Sequence, residues 1–202
     1  MEKYNFDTGD IILFGTKYSN SFMFIINYLI EYFTNSSYSH CGMVVKNPLI
    51  DNKIIEGLYF LESTGFTHKK DIADNKEKFG VQLVPLIDRL QTCKESCYYR
   101  KLNCVRDTSF NNLFNKAYSM VKNKPYDLNP EDWYKAEFNI DAGNTQDTNE
   151  YFCSALVTFL LVTLEIIPKS VPWTLMRPKD LGTEQGHRIN ITNLEKEIKL
   201  EL

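Results

Sequence analysis

The stretch of sequence that decides the fold reads Ser39-His40-Cys41-Gly42-Met43-Val44-Val45. Successive side chains of a β-strand point to opposite faces, so this alternation predicts a strand with His40, Gly42 and Val44 on one face. A second alternating run spans 54–62, and a turn-like segment at 48–52 separates the two. Two adjacent strands joined by a short polar turn are expected to pair antiparallel.

The rest of the chain contains both strand-like and helical patterns. Further strands are predicted in three apolar runs: 10–14, 80–84 and 96–105. Apolar residues at helical spacing predict three helices: 19–34, 109–123 and 151–167. The charged tail at 194–202 is expected to be helical or frayed, and the polar stretch near 128–150 to be an insertion loop. Together these elements predict one α+β domain over 1–202, with an antiparallel sheet packed against helices.

Composition argues against several classes of protein. Of the 202 residues, 43% are hydrophobic and 24% charged, which is ordinary for a folded domain. The net charge is -3 and no segment concentrates Lys and Arg, so a nucleic-acid partner is not expected. The apolar run Phe22–Phe33 contains Asn27 and Glu31, which makes it too polar and too short to span a bilayer. Without a signal-peptide pattern at the start, we expect an intracellular protein in the cytoplasm.

The cysteines predict free thiols. The chain has five (Cys41, Cys93, Cys97, Cys104 and Cys153), an odd number without a Cys-x2-Cys pair. Without a secretion signal, this pattern favours free thiols in a reducing compartment. The Cys-x3-Cys spacing of Cys93 and Cys97 lacks a matching second pair, so we expect neither a metal site nor a cofactor.

Cys153 is the first candidate for chemistry. It lies in the first turn of the predicted helix at 151–167, where exposed amides and the helix dipole favour a thiolate. The same amides could stabilise an oxyanion during acyl transfer. The alternative is a packed core cysteine, which is the more frequent role of cysteine in an apolar helix.

His40 and Glu62 are the candidate partners of Cys153. His68 and His187 lie in polar segments and are interpreted as surface residues, whereas His40 lies within a predicted strand. Its neighbour on the same face, Gly42, leaves room for a second side chain or a substrate. Glu62 ends an apolar face, where it could orient the imidazole if the two strands are neighbours. The alternatives are a histidine that bonds a nearby hydroxyl and a glutamate that points into water.

Seven short blocks, in chain order, resemble the circularly permuted NlpC-like papain-fold cysteine hydrolases. The group they look most like is the YiiX/YaeF-like one, whose members occur in bacteria and in large DNA viruses. For a viral member the expected location is the host cytoplasm or the virion. The blocks are Gly9-Asp10-Ile11-Ile12-Leu13-Phe14, Ser39 to Val45, Leu61-Glu62-Ser63-Thr64, Gly80-Val81-Gln82-Leu83-Val84-Pro85-Leu86, Lys124-Pro125-Tyr126-Asp127, Tyr151-Phe152-Cys153-Ser154-Ala155-Leu156-Val157 and, more weakly, Arg177-Pro178-Lys179-Asp180-Leu181. The histidine and glutamate precede the cysteine, as the permuted order requires.

The resemblance implies a permuted papain-like fold and a role for each candidate. Cys153 would be the nucleophile at a helix N-terminus, His40 its base and Glu62 the residue that orients the histidine. Tyr38 and Tyr126 are candidates for oxyanion or substrate contacts, with Tyr126 in the family's Pro-Tyr-Asp turn. Asp10, in the first block, is expected to cap a turn.

The implied activity is that of a thiol hydrolase or acyltransferase acting on an amide or ester bond through an acyl-enzyme. Its substrate would be a small acyl-amide such as an N-acyl amino acid, a peptide or a lipid, because relatives of this fold act on all of these. One alternative is a catalytically silent binding or scaffold protein of the same fold. Another is a membrane-docked lipid acyltransferase that makes peripheral contact through Phe22–Phe33. The oligomeric state stays open.

Overall fold

The computed structural model describes residues 3–15, 37–65, 68–91, 97–127, 149–183 and 187–201. The strands in these ranges are β1 (Ile11–Gly15), β2 (Tyr38–Lys46), β3 (Leu49–Ile50), β4 (Lys53–Ile54), β5 (Leu58–Thr64), β6 (Gly80–Pro85), β7 (Cys97–Arg100) and β8 (Ile198–Lys199). The α-helices are α1 (Leu86–Leu90), α2 (Thr108–Val121) and α3 (Cys153–Thr163). Two 3-10 helices follow α3, at Trp173–Leu175 and Pro178–Leu181.

Within the described ranges, one six-stranded antiparallel sheet has the order β6-β5-β2-β1-β7-β8. β2 therefore lies in the interior of the sheet, between β1 and β5. Met43 lies opposite Leu61 and Val44 opposite Phe60, so the two alternating runs pair antiparallel as the sequence predicts. The α+β class is confirmed.

The two faces of the sheet pack against different elements. Met43 and Leu61 belong to a large buried cluster that includes residues of α2 and α3. Phe14 and Phe60 belong to a second cluster, on the opposite face, which is covered by Leu86 and Leu90 of α1 and by residues from both ends of the chain. A sheet with both faces buried explains why β1 and most of β2 have no exposed residue.

Several predicted elements differ in extent. The run at 54–62 divides at Gly57, whose φ of +128° interrupts the strand between β4 and β5. The predicted strand at 96–105 is only β7, and the predicted helix at 151–167 is α3. The prediction that the tail at 194–202 is helical or frayed is wrong, because β8 pairs with β7 and Leu200 is buried in the second cluster.

Some predictions lie outside the described residues. These are the helix at 19–34, which contains the candidate membrane-contact run, and the part of the insertion at 128–148. Among the helices that the structure does describe, none is long and apolar enough to cross a membrane.

The prediction of five free thiols is wrong for Cys97. This residue is disulfide-bonded. Cys41, Cys104 and Cys153 are free. An odd number of cysteines requires only one free thiol, so the count could not exclude a single bond.

Gly42 lets β2 and β5 approach closely beside the candidate residues. A Cβ atom at this position would lie 2.7 Å from the backbone oxygen of Leu61 and would overlap the ring of Phe60. The room that we expected beside His40 is therefore filled by the Phe60 ring, which belongs to the strand that carries Glu62. The small residue serves strand packing at this point.

We expect Gly42→Ala to lower the free energy of unfolding by about 1–3 kcal/mol, because the added methyl group must displace the Phe60 ring and a neighbouring backbone. Urea denaturation measures the effect. Adding Phe60→Leu should recover part of the loss, so the two changes should be non-additive. A cost of Gly42→Ala indistinguishable from zero would contradict this account of the strand contact.

Candidate active site

His40 and Glu62 meet at the interior of the sheet. His40 Nε2 and Glu62 Oε2 are 2.6 Å apart, and both side chains are almost entirely buried. β2 and β5 are neighbours in the sheet, so the condition that we set for this contact is met. In β2 a bulge opposite Gly15 lies just before His40, and bulges of this kind alter the direction of nearby side chains.

Cys153 is the first residue of α3 and contacts the same histidine. A side-chain hydrogen bond joins Cys153 and His40. Because Nε2 of the ring bonds Glu62, Nδ1 is the nitrogen left for the sulfur. The N-cap residue Phe152 makes no side-chain hydrogen bond to the helix. The helix therefore begins at the cysteine without a side-chain cap, and helix N-termini stabilise negative charge.

Cys41 is a contact that the sequence did not reveal. Cys41 lies on the face opposite His40, in the same buried cluster as Cys153, and its thiol and its backbone both hydrogen-bond Cys153. The thiol of Cys41 is fully buried. No sequence signal distinguished it from an ordinary core cysteine, since the contact depends on where α3 meets β2.

Glu62 has two further partners that sequence reasoning missed. Arg89 Nε donates to both carboxylate oxygens, at 3.1 Å to Oε1 and 2.9 Å to Oε2. Gln82 Nε2 donates to Oε1 at 2.9 Å. Gln82 lies directly opposite Glu62 in the pairing of β5 with β6, and this cross-strand position is the signal that could have identified it. Arg89 lies on α1, which is too short to show a periodic pattern.

The ionisation states follow from these contacts. Burial opposes the charge on Glu62, but the Arg89 guanidinium and the His40 hydrogen bond lower the pKa of the carboxyl to about 2. Burial also opposes charge on His40, but its bonds to Cys153 and Glu62 raise the pKa of the imidazole to about 9. The hydrogen bond from Cys41, with that of His40, holds the pKa of the Cys153 thiol well below its ordinary value. At neutral pH the arrangement favours a thiolate beside an imidazolium.

Two hydrogen-bonded connections hold the start of α3 against the sheet. Ser63, the neighbour of Glu62 on β5, donates from Oγ to the backbone oxygen of Tyr151 at 2.5 Å. Tyr151 N in turn donates to Pro125 O at 3.1 Å, and Val81 N donates to Lys124 O at 2.8 Å. The segment before the cysteine is therefore attached to both β5 and β6.

Gly80 permits the second of these connections. Its φ is +141°, and a Cβ atom there would lie 2.7 Å from Pro125 Cα. A side chain at this position would separate the 124–127 turn from the start of β6. The 124–127 turn therefore packs against Gly80 on one side and bonds the residues before Cys153 on the other.

The two candidate tyrosines lie in different surroundings. Tyr38 donates its hydroxyl to Glu197 at 3.0 Å and packs in the cluster that contains Cys41 and Met43. Strict alternation would put Tyr38 on the same face of the sheet as His40. The bulge in β2 places it on the opposite face. Tyr126 is buried near Cys153 and Cys41, and burial together with the nearby Cys153 charge raises the pKa of its hydroxyl.

The other residues singled out in the sequence, two histidines and an aspartate, lie away from the candidate triad. His68 and His187 are exposed, as the sequence indicated. Asp10 accepts from the backbone of Asp7 at 2.9 Å, which is the expected turn cap, and also from Leu102 N at 2.9 Å. Its carboxylate is buried and links β1 to the region after β7.

Comparisons with known proteins bear on the fold. Neither the protein-family models nor the curated proteins contain a match to this sequence. A solved structure with a similar fold is that of the metalloprotein yiiX from Escherichia coli O157:H7, DUF1105. The TM-score is 0.51 at 18% identity, over 97% of this chain and 89% of that chain. The likeness therefore concerns the fold alone. In the part of this chain that the structure describes, no group of three or more His, Cys, Asp or Glu side chains is placed to hold a metal ion.

We expect Ser63→Ala to lower the free energy of unfolding by about 1 kcal/mol, because a buried hydrogen bond to the Tyr151 carbonyl is lost. The matched control is Ser119→Ala, since exposed Ser119 makes the same kind of bond, to Lys116 O at 2.7 Å. That control should stay within about 0.5 kcal/mol of the parent protein. Equal effects of the two changes in chemical denaturation would argue against the connection through Ser63.

The thiolate itself can be titrated through its ultraviolet absorbance, as the difference between the parent protein and Cys153→Ser. We expect a midpoint below the ordinary cysteine value of about 8.5. His40→Ala and Cys41→Ala should each raise the midpoint, whereas Cys41→Ser retains a donor and should raise it less. Cys104→Ala, at a half-buried cysteine elsewhere, is the control and should leave it unchanged. A parent midpoint at the ordinary value would contradict the proposed ion pair.

Proposed function

We propose that the protein is a cysteine-dependent hydrolase or acyltransferase that acts on an amide or ester bond, with Cys153 as nucleophile, His40 as acid and base, and Glu62 as the orienting residue. One observation carries the proposal. The imidazole of His40 is hydrogen-bonded to Cys153 on one side and to the Glu62 carboxylate on the other. A nucleophile, a base in contact with it and a third group that orients the base are the parts that covalent acyl transfer requires.

The fold supports the same proposal. We propose that the chain is a single permuted papain-like domain of the NlpC type, in which His40 and Glu62 come from early strands and Cys153 from a later helix. The similarity in fold to yiiX and the order of the three residues along the chain are in keeping with it. The surroundings of Cys153, at an uncapped helix start against a sheet, are those of an activated thiol.

In the proposed reaction, the Cys153 thiolate attacks the acyl carbonyl carbon and forms an S–C bond. The π electrons of the carbonyl bond move onto its oxygen. Backbone N–H groups at the start of α3, including that of Cys153, are the candidate donors to this oxyanion. As the bond to the leaving group breaks, His40 passes its Nδ1 proton to the departing nitrogen or oxygen, and a thioester remains. His40 then accepts a proton from water or from an acceptor amine or alcohol, which attacks the thioester and releases the thiolate.

The charges define the pH range of this reaction. The raised pKa of His40, about 9, keeps the imidazole protonated at neutral pH, and the proton is lost as the pH rises through that value. The lowered pKa of Glu62, about 2, keeps the carboxylate ionised down to strongly acid solution. We therefore propose that the acid limb of activity reports protonation of Cys153 and the alkaline limb deprotonation of His40.

We propose a substrate with an acyl group in amide or ester linkage. The candidate classes are a small acyl-amide such as an N-acyl amino acid, a peptide and a lipid. Two outcomes would then separate hydrolysis from acyl transfer. Water as the acceptor gives a free acid, whereas an added amine or alcohol gives a new acyl product. The ratio of the two products at rising acceptor concentration measures the preference of the acyl-enzyme.

The test is to trap the acyl-enzyme. Incubation with p-nitrophenyl esters of increasing acyl length, followed by intact-protein mass spectrometry, should add one acyl group at Cys153. Cys153→Ala should abolish the adduct, His40→Ala should reduce its rate of formation by at least about 100-fold, and Cys104→Ala should have no effect. The rate should fall as pH rises through about 9, where His40 loses its proton.

Labelling with a thiol-reactive probe provides the second measurement. Reaction at Cys153 ahead of Cys41 and Cys104, lost in His40→Ala, is the result expected of an enzyme. Labelling that follows exposure alone, with no dependence on His40, would overturn the proposal and favour a binding or scaffold protein.

A further inference from the structure

The charged groups at the site form a row of alternating sign. Arg89 contacts Glu62, Glu62 contacts His40, and His40 contacts Cys153. With Arg89 and His40 protonated and Glu62 and Cys153 ionised, the charges sum to zero. Each side chain is nearly or fully buried, so water contributes little to screening within the row.

Arg89 is buried and packs against an aromatic ring. It is 3% exposed, and its guanidinium lies over the ring of Phe14 with the central carbon 4.5 Å from the ring centroid. Phe14 in turn contacts His40, with ring centroids 5.5 Å apart. The arginine, the aromatic ring and the histidine therefore pack in sequence on one face of the sheet. Leu86 and Leu90 are the other buried residues of α1, and their packing fixes the direction in which the Arg89 side chain points.

Without the guanidinium, the three remaining charges would sum to minus one in a buried place. A buried excess of negative charge favours uptake of a proton. The groups that could take it up are Glu62 on β5 and Cys153 on α3, and either event would remove the thiolate–imidazolium pair or its support. Other titratable groups near the row are Cys41 on β2, beside Cys153, and Tyr126 in the 124–127 turn, and neither supplies a positive charge.

We propose that Arg89 is a positioning residue of the active site, which orients and neutralises the Glu62 carboxylate so that His40 and Cys153 carry opposite charges. The inference deepens the proposed function and rests on it for its meaning. It makes α1 a functional element, since α1 carries Arg89 and covers the sheet face that buries Phe14 and Phe60. Arg89 itself touches no reacting atom and acts through Glu62.

The experiment titrates the Cys153 thiolate by ultraviolet difference absorbance against Cys153→Ser in each background. Arg89→Met removes the positive charge, so each remaining group binds a proton more readily and the midpoint should rise by about one unit or more. That rise is a roughly tenfold smaller thiolate fraction at any pH below the midpoint. Arg89→Lys keeps the charge and should stay closer to the parent midpoint.

A matched control separates this role from a merely structural one. Arg106 also pairs with a buried carboxylate, its Nη2 lying 3.1 Å from Asp10 Oδ1, and it donates to the backbone oxygens of Thr8, Cys104 and Leu102. Arg106→Met should lower stability without moving the Cys153 midpoint. If Arg89→Met also destabilises the fold but leaves the midpoint in place, Arg89 is structural and the inference is overturned.

A second comparison tests whether Arg89 acts through Glu62. In a Glu62→Gln background the carboxylate charge is absent, so Arg89→Met should shift the midpoint less than it does in the parent protein. An equal shift in both backgrounds would exclude action through Glu62. Should Arg89→Met not fold, Arg89→Gln keeps an amide donor without the charge, and the same upward shift is expected of it.

These outcomes are distinguishable from failure of the proposed function. A low parent midpoint that rises in Arg89→Met, with no acyl-enzyme from any ester, would retain the role of Arg89 and remove the catalytic proposal. An acyl-enzyme at Cys153 whose pH dependence is unchanged in Arg89→Met would retain the catalytic proposal and remove the role of Arg89.

Discussion

The burial of the Glu62 carboxylate is the constraint on which the surrounding structure depends. A charge with no exposed surface has lost its contact with water, and the loss costs several kcal/mol unless other groups compensate. Three neighbouring elements provide the compensation: β2 with His40, β6 with Gln82 and α1 with Arg89. The position of α1, directly after β6 and over the same face as Phe14, follows from this requirement. A buried carboxylate thus ties together the strands and the short helix around it.

The sequence predicted the parts of the site that depend on strand alternation. His40 lies within a strand, Glu62 ends an apolar face of the neighbouring strand, and the two make contact. Alternation failed where the chain departs from it. The bulge before His40 moves Tyr38 to the other face. Cys41 does follow the alternation, but its contact with Cys153 depends on where a helix terminus meets the strand, which the sequence does not show. Arg89 could not be found, since five helical residues show no period and a buried arginine resembles a surface one in sequence. The tail was misjudged because Leu200 packs into a cluster that forms only in the folded chain.

The short blocks of sequence that resemble the permuted hydrolases make contacts with one another in the fold. Ser63 follows Glu62 and bonds the residue two before Cys153, so one block positions the carboxylate on one face and the start of α3 on the other. Gly80 admits the Pro-Tyr-Asp turn, and the turn pairs with Tyr151. Each block is unspecific alone because its residues are common. Their joint effect is to fix a sulfur from late in the chain relative to an imidazole from early in it.

The pairing of Tyr126 with Tyr151 has a consequence for how this chain can vary in length. Asp127 N donates to Tyr151 O at 3.3 Å, so the two ends of the intervening segment meet at one point on the sheet. The entropic cost of closing a loop rises only with the logarithm of its length, about 0.6 kcal/mol for each doubling. Residues can therefore be added to or removed from that segment at small cost, while the anchored ends keep the sulfur in register with its histidine. The length of the connection between the two anchored ends is thereby uncoupled from the geometry of the charges at the site.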